Sequence, residues 1–131
     1  MHSKLRWFIF CVAPLLIVSA IGVRVSNDWR RGSDESIRER LLKAAPLGSS
    51  LVEVEAVVKS GGWPYVVERE QGFYDQRLRP AQIVGSQHLR ASLGDYINIP
   101  IPLPTNVTVF WGFDADGRLI DLWVWKTTDG P

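Results

Sequence analysis

Cysteine and histidine are scarce in this chain. The sole cysteine, Cys11, lies inside an apolar N-terminal stretch, so the remainder can form neither an internal disulfide nor a thiolate metal site. Cys11 follows Phe8-Ile9-Phe10, where a lipoprotein processing site requires small residues, and reads instead as an apolar thiol within a membrane segment. Of the two histidines only His88 lies beyond the N-terminus, so histidine catalysis or metal binding has to run through it. Neither sign of charge dominates. The formal net charge is +1, and from Arg24 onward 13 of the 15 basic residues stand against all 14 acidic ones, leaving that portion near −1. Such a balance lacks the basic footprint that phosphate binding requires, which excludes nucleic acid as a partner. No polybasic run is present to hold anionic lipid. Internal repeats are absent, and the one biased tract is an alternating Ile-Pro stretch.

What the chain does have is enough apolar residue for one modest core. At 131 residues and 46% hydrophobic, 22% charged, it fits a single small domain and not a disordered one. The long uncharged run comes first. Lys4 and Arg6 precede Trp7–Val23, 17 residues without a charge, at the short edge of the roughly 17–25 that span a bilayer. This stretch has no polar face, as a buried helix of a soluble protein would. It is expected to be a single-pass signal-anchor that contacts the membrane through residues 7–23 and leaves the C-terminal domain on the extracytoplasmic side. The alternative is a cleaved signal peptide, with Val18-Ser19-Ala20 as the processing site and a secreted or periplasmic product cut near Ala20. Residues 24–33 are polar and read as a linker, followed by a small domain over 34–131.

The domain begins with helical signals. Ser33 is a good N-cap, Asp34 and Glu35 suit the first turn, Ile37, Leu41 and Leu42 mark one face, and Pro46 stops the helix. Ser50-Leu51-Val52-Glu53 is a capping box opening a second helix with an apolar face of Leu51, Val54, Val57 and Val58, closed by Gly61-Gly62. The period then changes to two. Tyr65–Glu70 reads as a strand, and His88–Leu93 as a half-buried one with Leu89, Ala91 and Leu93 on one side. Residues 71–85 are polar and read as loop, and Ile99–Pro104 as an extended connector or edge. Two strands, Asn106–Phe113 and Leu119–Lys126, flank Asp114-Ala115-Asp116-Gly117, a hairpin signature. Pairing Asp114 with Arg118 puts Val107, Val109, Trp111, Phe113, Leu119, Trp123 and Trp125 on one face, expected to lie under the helices. The opposite face then shows Phe110, Ile120, Leu122 and Val124, a candidate interaction surface. The fold class expected is α+β: an N-terminal membrane or signal helix, then an αα-hairpin packed on an antiparallel sheet of three to four strands.

That order resembles the SmpA/OmlA (BamE-like) domains of bacterial envelopes. The resemblance is carried by Leu47-Gly48-Ser49 with Glu53-Val54 and Gly61, similar to the family's helix entry, and by Phe113-Asp114-Ala115-Asp116-Gly117-Arg118-Leu119, similar to its sheet hairpin. It implies an envelope protein that binds other proteins and is not an enzyme.

No residue constellation specifies a reaction or a cofactor. Ser86, Ser92 and Asp95 lie near His88 in sequence, so a hydrolase triad can be written down, but His88 and Ser92 sit four residues apart on one strand, roughly 13 Å. Asp114 and Asp116 do not begin a calcium loop, because Leu119 and Trp125 stand where glycine and glutamate are needed. Gly48-Ser49-Ser50 lacks the lysine of a phosphate loop and is accounted for by capping. The expectation is a non-enzymatic envelope protein working through contacts with another envelope protein, with no metal and no cofactor. The first alternative is a small-ligand or glycan module built on the tryptophans; a His88 hydrolase is the remote one.

Overall fold

The computed structural model describes residues 28–100 and 102–128. The expected membrane segment over 7–23, with Cys11 and the processing site near Ala20, lies outside the described residues. Among these, no helix is long and apolar enough to cross a membrane. The chain separates into two compact units, 1–31 and 32–131. In the first, inside the expected linker, Trp29–Arg31 form a single 3-10 turn. Asp28 accepts from the Arg30 backbone N–H at 3.0 Å and from its guanidinium at 2.6 Å. Hydrogen bonding from the Arg30 side chain holds the Asp28 carboxyl below its usual range.

The second unit is α+β, with two helices and an antiparallel sheet of four strands. Helix α1 spans Asp34–Ala44 and is capped as expected, Ser33 Oγ accepting from the Ser36 N–H. Helix α2 spans Leu51–Ser60, with Ser50 Oγ accepting from the Glu53 N–H at 3.2 Å. Its end is a Schellman motif: Trp63 N–H donates to Val58 O and Gly62 N–H to Lys59 O, with Gly62 at φ +70°. Ile37, Leu41, Leu51, Val54 and Val58 are buried. Helix α1 packs on β6 and α2 on β4.

The strands are β1 (Tyr65–Glu68), β2 (Phe73–Asp75), β3 (Gln82–Val84), β4 (Gln87–Asn98), β5 (Leu103–Phe113) and β6 (Leu119–Thr128). The main sheet runs β1-β4-β5-β6, and β2-β3 form a separate two-stranded ribbon. The segment 71–85, expected as loop, therefore holds two strands. At three residues each they are too short for a two-residue period to show. The last two residues of the Ile-Pro stretch, Leu103 and Pro104, open β5, with Asn98 opposite Leu103, and residues 99–102 lie between β4 and β5. Pro104 lies in β5 before pairing with β6 begins at Thr105, so β4 alone flanks it there among the described residues. The loop between the helices is pinned to the far hairpin, Gly48 N–H donating to Leu119 O and Leu119 N–H to Ser49 O, both at 2.8 Å.

The face assignment of β6 needs correction. Gly112 pairs with Asp121 but Phe113 pairs with Leu119, so Ile120 is an extra residue, a β-bulge. Beyond it every side chain of β6 switches sides. The helix-covered inner face therefore carries Leu89, Ala91, Val107, Val109 and Trp111 together with Leu122 and Val124. Leu122 is 0% and Val124 4% exposed, so neither belongs to an interaction surface. Trp123 and Trp125 point to the opposite, outer face. Of the expected surface only Phe110 stands on that face, half-buried, while Ile120 is exposed at the bulge itself.

Candidate functional site

The outer face is built from cross-strand rows. One row runs Val66, Arg90, Phe110, Trp123 and the next places Ser92, Thr108 and Trp125 side by side. Pro64 joins the second row, since its carbonyl accepts from the Ser92 N–H at 3.0 Å. The aromatic rings form a continuous stack. Phe110 and Trp123 have centroids 5.2 Å apart at 19°, and Trp123 and Trp125 are 5.6 Å apart at 23°. Phe73 of the ribbon closes one end, 5.8 Å from Phe110 and 6.3 Å from Trp123. Trp125 ends the stack at the other side and is 38% exposed.

The ribbon is strapped over the covered end by charge. Arg77 grips Asp75 with two hydrogen bonds of 2.8 Å and donates a third, 3.0 Å, to Asp121. Its guanidinium carbon lies 5.9 Å from the Trp123 ring centroid. Asp121 also takes Arg38 from α1 at 3.0 Å, and Arg38 reaches Leu122 O at 3.2 Å around the edge of β6. The Asp75 side chain is only 4% exposed. Hydrogen bonds from Arg77 keep its carboxyl below the ordinary range, and the same bonds raise Arg77 above its own.

The uncovered half is a shallow trough of about 370 Å³. Its floor is Ser92 and Thr108, with Pro64 and Val66 on one side and Phe110 and Trp125 on the other. The small floor residues between larger walls create the depression. Most polar groups bordering it are already engaged with one another. Thr108 Oγ1 donates to Asn106 Oδ1, Asn106 Nδ2 donates to Asp95 Oδ1, and Ser92 Oγ accepts from the Gly94 N–H. Arg90, which also lines the trough, is the exception: it forms no ion pair with any described residue.

The histidine constellation does not assemble. His88 Nδ1–H donates to Gln71 O at 2.8 Å, a carbonyl being able only to accept. Asp95 is bound by Asn106, and Ser86 and Ser92 make no hydrogen bond with His88. Among the described residues no three His, Cys, Asp or Glu side chains gather as metal ligands would. Sequence reasoning missed Arg90 and Pro64 as trough residues and assigned Trp125 to the covered face. The signal was Asp121: strict alternation from Leu119 sends this carboxylate into the core along with Trp123. Comparison with known proteins finds no family model, no curated protein and no solved structure that matches the chain.

Proposed function

We propose that the protein is a non-enzymatic binding domain, anchored in or exported across a membrane by residues 7–23, that docks another polypeptide on the outer aromatic face of its sheet. The observation that carries the reading is Trp125. An indole this exposed, backed by the Trp123–Phe110 stack and facing an apolar trough, is rigid, amphipathic contact area of the kind that dominates binding energy at interfaces. The uncharged stretch Trp7–Val23 and the resemblance to small envelope domains support an extracytoplasmic location.

Photo-crosslinking in cells tests the docking face. A photoreactive residue at position 125 is expected to give discrete protein adducts, and one at Val52, exposed on α2, none. Equal labelling from both positions overturns the assignment of the outer face. The N-terminal residue of the membrane-extracted protein tests the location: Met1 identifies an anchor, a start near Ile21 a cleaved signal, and a full-length product in the cytosol overturns both.

A further inference from the structure

We infer that the partner docks as an extended, acidic peptide segment: it adds to the open edge of β1, lays an apolar side chain in the trough and sets a carboxylate against Arg90. This deepens the docking proposal and rests on it. Two observations select the occupant. The first is charge. The hydroxyls of Ser92 and Thr108 on the trough floor are hydrogen-bonded to their neighbours, whereas the Arg90 guanidinium has no carboxylate partner among the described residues. Glu68 lies diagonal to it on the same face and makes no ion pair with it. The Asp95–Asn106–Thr108 chain turns its polar groups inward on itself, so it offers little to the many hydroxyls of a sugar. An uncommitted cation beside an aromatic slot complements an anionic, apolar ligand.

The second observation is the edge. Among the described residues β1 is the terminal strand of the sheet and pairs only with β4. Pairing of Pro64 with Ser92 fixes the alternation, so the backbone groups of Val66 turn to β4 and those of Tyr65 and Val67 turn away from the sheet. An added strand finds those outward groups about 4.8 Å away, and every second side chain of it falls on the outer face beside Val66 and Pro64. Backbone pairing supplies affinity without sequence preference; the trough and Arg90 supply the preference.

The test uses the full chain in detergent micelles and fluorescence anisotropy of labelled probes. These are the blocked pentapeptide Val-Phe-Val-Glu-Val, its lysine twin Val-Phe-Val-Lys-Val, and the acidic peptide with methylated backbone nitrogens. The acidic peptide is expected to bind about tenfold tighter than the lysine twin, because exchanging an attractive exposed pair for a repulsive one counts the interaction twice. Arg90→Glu should invert the order, Trp125→Ala should weaken both peptides, and backbone methylation should weaken the acidic one. Equal binding of the acidic and basic peptides, unchanged by Arg90→Glu, overturns the acidic preference and leaves the docking face standing. Peptides that fail to bind while position 125 still crosslinks to a protein overturn the extended-peptide partner alone. If crosslinking fails as well, the docking reading falls with it. Binding of a chito-oligosaccharide that Trp125→Ala abolishes, with no peptide bound, replaces the partner class by a glycan and overturns the inference.

Discussion

Trp123 stands directly across from Phe110, the two ring centroids 5.2 Å apart. That pairing depends on Ile120 being supernumerary in β6. Were Ile120 paired with Gly112, strict alternation would drive Trp123 and Trp125 toward the helices and turn Leu122 and Val124 to solvent. The inner face is already filled by Trp111, Val109 and Phe113, all fully buried, so it has no room for two more indoles. Deleting Ile120 joins Leu119 to Asp121 with every later pair in register, so it is expected to keep both indoles on the outer face and to cost no more than about 3 kcal/mol. Ile120→Ala, which keeps the extra residue and trims an exposed side chain, should cost under about 1 kcal/mol. Urea denaturation follows the two variants, and a deletion that unfolds far more easily than Ile120→Ala would show that Ile120 is not the supernumerary residue of β6.

Most of the framework was legible because local chemistry and tertiary packing agree there. Ser33 and Ser50 cap the helices they were expected to cap, and Leu89, Ala91 and Leu93 alternate into the core as their spacing requires. The hairpin around Gly117 forms, with Asp114 Oδ1 accepting from the Asp116 and Arg118 N–H groups. The outer face was misread because a bulge is one residue of irregularity that propagates to every later position of its strand. Leu122 and Val124 suit an outer surface as well as a core, so hydrophobicity alone cannot sort them from Trp123 and Trp125. The ribbon over 73–84 was invisible for a different reason. Its two strands are anchored by Phe73 and by the Arg77 ion pairs, contacts with β5 and β6 distant in sequence.

Two of the three tryptophans on β5 and β6 should separate stability from binding. Trp111 is fully buried under the helices, and Trp111→Ala is expected to cost about 3–5 kcal/mol. Trp125 is partly exposed and packs mainly on Trp123, so Trp125→Ala should cost about 1 kcal/mol while removing most of the affinity for the partner. Thermal denaturation alongside crosslinking from a photoreactive residue at Val66, on the opposite wall of the trough, measures both. A Trp125→Ala variant as unstable as Trp111→Ala would make the indole a core residue and not a recognition one.

Acid should loosen the strap before it unfolds the sheet. The Asp75 carboxyl is held below its ordinary range in the folded state by Arg77. A depressed carboxylate contributes stability that is present above its unfolded value, about 3.9, and is lost as pH falls through the folded value. Below about pH 4 protonation of Asp75 therefore weakens its grip on Arg77 and, through it, the cover over Trp123. Asp75→Asn removes this acid-dependent part and is expected to lower stability at pH 7 by about 1–3 kcal/mol. Asp28 shifts in the same direction, so the difference between the wild type and Asp75→Asn isolates the strap. Hydrogen exchange of residues 73–84 as a function of pH reads it. Identical profiles for the two proteins between pH 5 and pH 3 (a range set about the ordinary carboxylate value) would remove Asp75 from the acid response.

How the strap seats depends on a glycine. Gly112 lies across from Asp121, and a methyl group there would come within 2.7 Å of Phe73 Cε1 and 3.3 Å of Val84 Cγ1. Phe73 is 1% exposed and wedged against Phe110 and Trp123, so its ring cannot swing aside without lifting the ribbon. Gly112→Ala is expected to cost about 1–3 kcal/mol through overpacking and to raise hydrogen exchange across β2 and β3. The trough should keep its function, because Trp125 ends the aromatic stack at the side away from Phe73. The expected outcome is thus a destabilised strap with crosslinking at position 125 retained. Loss of crosslinking together with strap opening would mean that the ribbon shapes the docking face, and unchanged exchange would mean that Phe73 is not what holds the ribbon to the sheet.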